Sequence, residues 1–493
     1  MKTKPMSHQV EGLRRLAAAP DYYALGAEQG TGKTWMLLAD AESQYQAKRI
    51  EAMLVVAPKG VHTNWVLREV PTHLEVPHAA AYYLSSANKA HSRTIEQVFE
   101  PDNDDKLRIL AINIDALNTA KGYGLARRFL ITFRTFLVVD ESQRIKNPSA
   151  GRTQKLMTLG DYAISKRIAS GTIIGNGPLD AFSQFQFLRS GLLGTTSYRA
   201  FVATYAELLP QSHELVQHAA RNSRAGTPQI IKRTPDGQPM FKNLERLHQM
   251  MAPHMYRVLK RDCLDLPPKV YQNHYFELTP AQRRLYEKTK SEMMYLRDDG
   301  DIDMFTALTV ITKLRQITSG FIMVDGVANT IQEDGPRLQA LREIVEDIDG
   351  QFIVWAAYRE EIARIAAELD VLGVVQYHGG ISAKEREQAI DAFQSGAARV
   401  FIGHPQSGGT GVTLTAAQTA IYYSCDFSLE QRSQSEDRCH RIGTKGTVTY
   451  IDLVAVGTID ERIAAALQAK SGTAKLILGD TPFSPKQLDF GIK

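Results

Sequence analysis

The chain has 493 residues, 43% hydrophobic and 23% charged, with a formal net charge of +4. That length exceeds one ordinary core and predicts two domains of about 150 to 250 residues each; the mild basicity permits a polyanionic partner through a local patch without demanding one. Cys263, Cys425 and Cys439 form no CxxC pair, which argues against a disulfide framework or a zinc site, and there is neither a signal-peptide core nor an apolar run long enough to span a bilayer. The expectation is an intracellular, cytoplasmic protein without a membrane segment.

From Tyr22 to Ser170 short apolar runs alternate with helical patterns: YYALGA, a helix from Lys33, MLVVAP, RILAINIDAL, FLVVDE and RIAS. The rhythm returns from Gln351 in FIVWAA, GVVQYH, ARVFIG, TAIYYS and VTYIDLVA. Strands alternating with helices predict parallel sheets covered on both faces, hence two α/β halves. Between them AFSQFQFLRS, YRAFVATYAELL and NLERLHQMMAPHMYRVLKR read as helices, RVLKRD as a basic helical face, and DLPPKVYQNHYFELTP as one extended strand. No long hairpin insertion is evident.

AEQGTGKTWMLL, from Ala27 to Leu38, follows a strand and opens a helix. Gly30, Thr31 and Gly32 would wrap phosphates with backbone N–H groups at a helix N-terminus, Lys33 would meet the β- and γ-phosphates, and Thr34 would offer its hydroxyl to Mg2+. DESQRIKN begins at Asp140, the end of another strand. Asp140 is placed to hold the ion and Glu141 to orient and deprotonate the attacking water. In the second half, QSEDRCHRIG carries Arg438 and Arg441 three residues apart, one helical turn, as candidates for stabilising charge on the transferring phosphoryl group from across a cleft.

With these motifs the chain resembles the Swi/Snf family of superfamily-two, ATP-driven DNA translocases along nearly its whole length. The resemblance implies two RecA-like domains, ATP and Mg2+ as cofactors, and duplex DNA as partner. SHQVEGLRRL resembles the adenine-reading segment, in which Gln9 would bind the base; VVAPKGVHTNWVLRE the first DNA-contact motif, with the Asn64-Trp65 pair; and RIASGTIIGN the motif coupling ATP to DNA, with Gly171 and Thr172. LPPK, KLRQITSG, YHGGISAKEREQAIDAF, SGGTGVTLTAAQTAIYY and the finger helix QSEDRCHRIG, with Gln434 as a coupling residue, continue the match. The sequence departs from the family pattern at Gln143, Ile173, Gly175 and Thr444. An amide at Gln143 can donate and accept at once, and so bridge the phosphate site to a neighbouring Gln or Ser.

Candidate DNA contacts are Lys59 and Thr63, Arg144 and Lys146, and Ser407, Gly408 and Thr410, which suit a grip on phosphates without reading sequence. The predicted organisation is a first RecA-like domain over residues 1–280 with a helical insertion at about 180–265, a helical linker over 281–335, a second domain over 336–470 carrying the arginine fingers, and a tail over 471–493. So little chain outside the motor suits a bacterial or viral source and a monomeric motor. The leading expectation is a DNA-stimulated ATPase that translocates on duplex DNA. A strand-separating or branch-remodelling helicase, and a nucleic-acid-binding scaffold with weak or uncoupled ATPase, stay open as alternatives.

Overall fold

A computed structural model of the chain describes all residues except 20, 86–88, 222–226, 236, 299–303, 332–333, 407–411 and 483–493. It divides into two compact units, one of Met1–Pro210, Gln229–Asp265 and Lys470–Lys493, the other of Gln211–Pro228 and Leu266–Ala469.

The first unit is built on seven strands: β1 (Tyr22–Ala27), β2 (Ala52–Ala57), β3 (His78–Tyr82), β4 (Leu107–Asn113), β5 (Thr135–Asp140), β6 (Ser165–Ala169) and β7 (Met255–Val258), in the order β3-β4-β2-β5-β6-β1-β7. Every pairing is parallel. Strands β2 and β5 are buried at every position, as apolar runs covered on both faces must be. Register sets the layout of the strand ends, because Ala169 of β6 lies between Leu25 of β1 and Asp140 of β5. The chain therefore leaves three adjacent strands at one edge, carrying the loop after Ala27, Ser170 and the Asp140-Glu141 pair.

Two of these strands escape the sequence reading. HAAAY has no β-branched residue to mark β3. The stretch ending in MYRV has helical spacing, but its helix stops at Met251, Pro253 follows, and Met255–Val258 adds to the sheet beside β1. RVLKRD is consequently not a basic helical face: Arg257 lies on β7 and pairs with Asp480, and Lys260 is buried.

The second unit has β8 (Lys269–Phe276), a β9 (Phe321–Val324) and β10 (Val327–Thr330) hairpin, β11 (Phe352–Trp355), β12 (Val374–Tyr377), β13 (Val400–Gly403), β14 (Thr419–Tyr422) and β15 (Val448–Ala455). Its main sheet runs β12-β13-β11-β14-β15-β8, again all parallel. β8, grouped by sequence with the first domain, instead extends this sheet beyond β15, and its mostly exposed residues suit an edge. Within residues 281–335, expected as a helical linker or protrusion, Tyr286, Val310, Leu314 and Ile317 join the second unit's core. The hairpin, absent from the sequence reading, turns at Asp325-Gly326 with both residues at positive φ, the geometry a two-residue turn requires.

Among the described residues no helix is long and apolar enough to cross a membrane, and no group of three or more His, Cys, Asp or Glu could hold a metal ion. The second core is tied by Arg337, which is 2% exposed. Its guanidinium pairs with Asp460, donates to Thr318 O at 3.1 Å and Thr318 Oγ1 at 3.0 Å, bonds Tyr423 O, and stacks on Phe276 and Tyr423. Burial opposes its charge, and Asp460 more than restores it, holding the pKa above the ordinary arginine value. Arg337→Met takes the cation from Asp460 and a donor from four further acceptors, Leu453 O at 3.4 Å among them, so the second unit should lose about 3–5 kcal/mol, read as a lower denaturant midpoint with the first unit's transition unmoved.

Candidate active site

The loop leaving β1 is folded by its own backbone. Glu28 N–H donates to Val258 O at 3.0 Å, and Thr31 returns both its N–H (3.3 Å) and its hydroxyl (2.7 Å) to Glu28 O. Gly30 and Gly32 have φ of +81° and +82°, the left-handed region. At Gly32 a Cβ would lie 2.0 Å from Gln9 Nε2, so a side chain there would be strained by the backbone and would displace the Gln9 amide. Helix Lys33–Gln46 starts at once with Gly32 as its N-cap and no side-chain cap, which leaves first-turn amides available to an anion.

Gln9 lies against this loop. Its Oε1 accepts the Met6 N–H at 2.8 Å and its Nε2 is 3.5 Å from Thr31 O, to which His8 Nε2 also bonds at 2.7 Å. The predicted base-reading residue is thus buried and also braces the phosphate loop.

Asp140 ends β5 deep in the unit. Burial raises its pKa, opposed by hydrogen bonds from Trp65 Nε1 to Oδ2 (2.9 Å) and Glu141 N–H to Oδ1 (3.0 Å) and by the charge of Lys33. A desolvated carboxylate facing a lysine, beside a loop of glycines and a threonine hydroxyl, is a donor set that suits a hard divalent ion bound with phosphates. Glu141 has φ +53°, strain a non-glycine residue holds only where its surroundings enforce it.

From Glu141 a chain of hydrogen bonds leaves the strand end. Gln143 Nε2 donates to Glu141 Oε2 at 2.8 Å, Ser170 Oγ donates to Gln143 Oε1 at 2.6 Å, and Thr172 N–H donates to Ser170 Oγ at 2.9 Å. A parallel link runs from Ser142 Oγ to Gln184 Oε1 at 2.7 Å, and from Gln184 Nε2 to Ile173 O and Asp180 O, both at 2.8 Å. Asp180 Oδ2 in turn accepts the N–H groups of Gly175 (2.9 Å) and Asn176 (2.7 Å) and lies 3.7 Å from Lys146 Nζ. Both unusual residues, Ile173 and Gly175, are therefore held through backbone groups.

The first unit brings together Gln9, Gly30, Thr31, Gly32, Lys33, Thr34, Asp140, Glu141, Gln143, Gly171 and Thr172 on the edge formed by β1, β6 and β5. Lys59 and Arg144 are exposed; Thr63 spends its hydroxyl on Gly60 O at 2.7 Å, and Lys146 is half-buried beside Asp180. Ser407, Gly408 and Thr410 lie outside the described residues.

In the second unit Arg438 is 5% exposed on helix Leu429–Cys439. Its Nη2 donates to Pro405 O at 2.8 Å, its guanidinium lies over the Trp355 ring, and burial pushes its pKa down to about 10. Arg441 is not one helical turn further on the same face. The helix ends at Cys439, His440 leaves helical geometry, and Arg441 sits in a turn closed by Thr444, whose hydroxyl donates to Cys439 O at 2.6 Å and accepts the Arg441 N–H at 3.2 Å. Gln434 is half-buried, its amide 3.4 Å from Glu430 Oε1.

Sequence reasoning missed Ser170, Asp180 and Gln184 as site residues and gave Trp65 no contact to Asp140. Gln184 left a signal: a glutamine among the phenylalanines of AFSQFQFL stands where a buried polar group must find partners.

A model of the SNF2-related domain matches residues 8–320, and one of the helicase conserved C-terminal domain matches residues 336–443. The chain belongs to the Snf2 family. It is therefore a helicase-like ATPase of superfamily two with two RecA-like domains. Relatives include the TATA-binding protein-associated factor mot1 of Aspergillus fumigatus, 25% identical over 97% of this chain and 27% of that protein. An uncharacterised ATP-dependent helicase of Mycoplasma genitalium is 24% identical over 96% of this chain and 42% of that protein. The chain thus spans less than half the length of these curated relatives. The Sulfolobus solfataricus SWI2/SNF2 ATPase core in complex with dsDNA is 22% identical, with a TM-score of 0.40 over 99% of this chain and 97% of that one.

Gln143 joins Glu141 to Ser170, and leucine preserves its bulk while removing both of these hydrogen bonds. If Glu141 acts as the general base that the sequence predicts, Gln143→Leu should lower the turnover of ATP by about 10²-fold, while affinity for a fluorescent ADP analogue changes by less than about threefold.

Proposed function

We propose that this chain is a DNA-stimulated ATPase that uses ATP hydrolysis to translocate along duplex DNA and so to remodel DNA or protein–DNA complexes. The observation that carries the reading is the unbroken run of hydrogen bonds from Glu141 through Gln143 and Ser170 to Thr172. It gives the proposed base a mechanical link to the segment after β6, which reaches Lys146 by way of Asp180.

Each residue then has a task. The amides of Gly30 to Lys33 and the Lys33 ammonium bind the phosphates of ATP, and Gln9 lies ready for the base. Asp140 and Thr34 would hold Mg2+, which would supply charge neutralisation on the phosphate oxygens. Glu141 accepts the proton of the attacking water, oriented by the Gln143 amide. Arg438 and Arg441 stabilise the charge that develops on the transferring group; a guanidinium whose pKa burial has lowered gains when an anion arrives. Exposed Lys59 and Arg144 grip DNA phosphates, and Gln143, Gly171, Thr172 and Gln434 couple that grip to hydrolysis.

A second reading, strand separation, draws on the β9–β10 hairpin, whose Val324 and Val327 are exposed beside its turn. Steady-state ATP turnover is to be compared at one salt concentration without nucleic acid and with single-stranded DNA, blunt duplex, forked duplex and RNA. Duplex DNA should stimulate most, and equal turnover in all arms overturns the proposal; release of a displaced strand from the fork supports the second reading. Glu141→Gln should cut turnover by about 10² to 10⁴. Duplex binding should weaken with salt at a logarithmic slope of about 0.9 per phosphate contact, so a flat response removes DNA as the track.

A further inference from the structure

Helix Ile459–Leu478 and the two residues after it hold none of the groups assigned to phosphate, ion and water. Gly479, at φ +77°, terminates the helix in the left-handed conformation, and a Cβ there would lie 2.5 Å from His248 Cε1. His248 Nδ1 donates to Ile477 O at 2.9 Å, so the helix end is seated as well as closed. This turn delivers Asp480 to Arg257 of β7. Arg257 Nε donates to Oδ1 at 2.8 Å and Nη2 to Oδ2 at 2.6 Å, a bidentate pair whose side chains are only 16% and 8% exposed, while Arg261 Nη2 donates to Asp480 O at 3.0 Å.

The other side of the same guanidinium faces the phosphate loop. Arg257 Nη1 donates to Gly26 O at 2.9 Å, next to the first residue of that loop, and Nη2 lies 3.9 Å from Glu28 Oε1. Glu28 is otherwise committed to the loop's shape: its Oε2 accepts Lys260 N–H at 2.8 Å, and its carbonyl accepts both donors of Thr31. One mostly buried cation therefore stands between two carboxylates, in bonding contact with Asp480 and at arm's length from Glu28.

We infer that Asp480 is a positioning residue for the phosphate loop: by engaging Arg257 it leaves Glu28 free to hold the loop open for a nucleotide's phosphates. With Asp480 neutral, Arg257 has Glu28 as the carboxylate within reach, and a shift of about 1 Å would make them a direct pair. That shift draws Glu28 from the Lys260 amide and moves the carbonyl that fixes Thr31. The inference rests on reading residues 27–34 as the phosphate loop.

The test is affinity for a fluorescent ADP analogue, with KM for ATP and kcat, in the full chain. Asp480→Asn should weaken the analogue's binding about tenfold and raise KM while kcat at saturating ATP stays within about twofold. Asp480→Glu should recover most of the affinity. Glu28→Gln added to Asp480→Asn should bind the analogue more tightly than Asp480→Asn alone, because it removes the competing partner; a purely structural role for Asp480 predicts further loss. If Asp480→Asn does not fold, Arg257→Lys, which keeps the charge and loses the fork, should weaken binding in the same direction. Unchanged affinity in a folded Asp480→Asn or Arg257→Lys protein overturns the inference. Lys33→Ala separates the two layers: wild-type affinity in that variant overturns the phosphate-loop reading itself, whereas loss there with unchanged Asp480→Asn overturns the positioning role alone.

Discussion

The first unit is organised around a carboxylate that has been taken out of water. Asp140 lies at the end of a strand buried along its length, and a charge there costs free energy unless its neighbours replace the lost hydration. Trp65 supplies one donor, the Glu141 backbone a second, and Lys33 a compensating charge. Those partners come from three separate segments, the helical stretch after β2, the β5 turn and the phosphate loop. Their mutual placement comes from the order β2-β5-β6-β1 in the sheet. Exchanging β6 with any outer strand would leave Ser170 and Asp140 on non-adjacent strand ends.

The same constraint explains the strained backbone at Glu141. A residue following a buried strand end must turn sharply if its own side chain is to reach a different neighbour, and the left-handed conformation accomplishes this in one step. The cost, about 1–3 kcal/mol for such a conformation, is offset by hydrogen bonds of the two residues that follow, Ser142 and Gln143. An ionised aspartate at position 143, which can only accept, could not reproduce the arrangement found here. The amide gives a hydrogen to Glu141 and takes one from Ser170, so its two ends fix each other's orientation.

Much of this was legible in the sequence, for identifiable reasons. Strands such as FLVV and MLVVA are apolar on both faces and bounded by glycine, proline or charge, so local pattern sufficed. The glycines of the phosphate loop and the Asp-Glu pair are read from spacing because their chemistry depends on short-range geometry. What stayed hidden depends on partners distant in the chain. Met255–Val258 becomes a strand only because β1 offers an open edge about 230 residues earlier, and Lys269–Phe276 belongs with β15 by a pairing almost as remote. Lys260 and Arg257 look like surface cations in RVLKRD because nothing local reveals Glu28 or Asp480. Arg441 shows the limit of a helical ruler, since residues three apart share a face only while the helix continues, and Thr444 closes the turn that ends it.

One device recurs at the carboxyl ends of strands in both units. There the ladder of backbone hydrogen bonds stops, and carbonyls at the strand ends and just beyond them need donors that neighbouring strands no longer provide. Arg257 reaches Gly26 O, Arg438 reaches Pro405 O, Arg315 reaches Cys425 O and Arg337 reaches Tyr423 O. A guanidinium suits the task because its five donors lie in a rigid plane, so it can satisfy a carbonyl and a carboxylate together. Lysine, a compact and strongly hydrated charge, would lose more hydration for fewer fixed bonds. Loops pinned in this way keep their shape through electrostatics and geometry instead of apolar bulk, which leaves the strand-end edges polar and able to receive an anionic ligand.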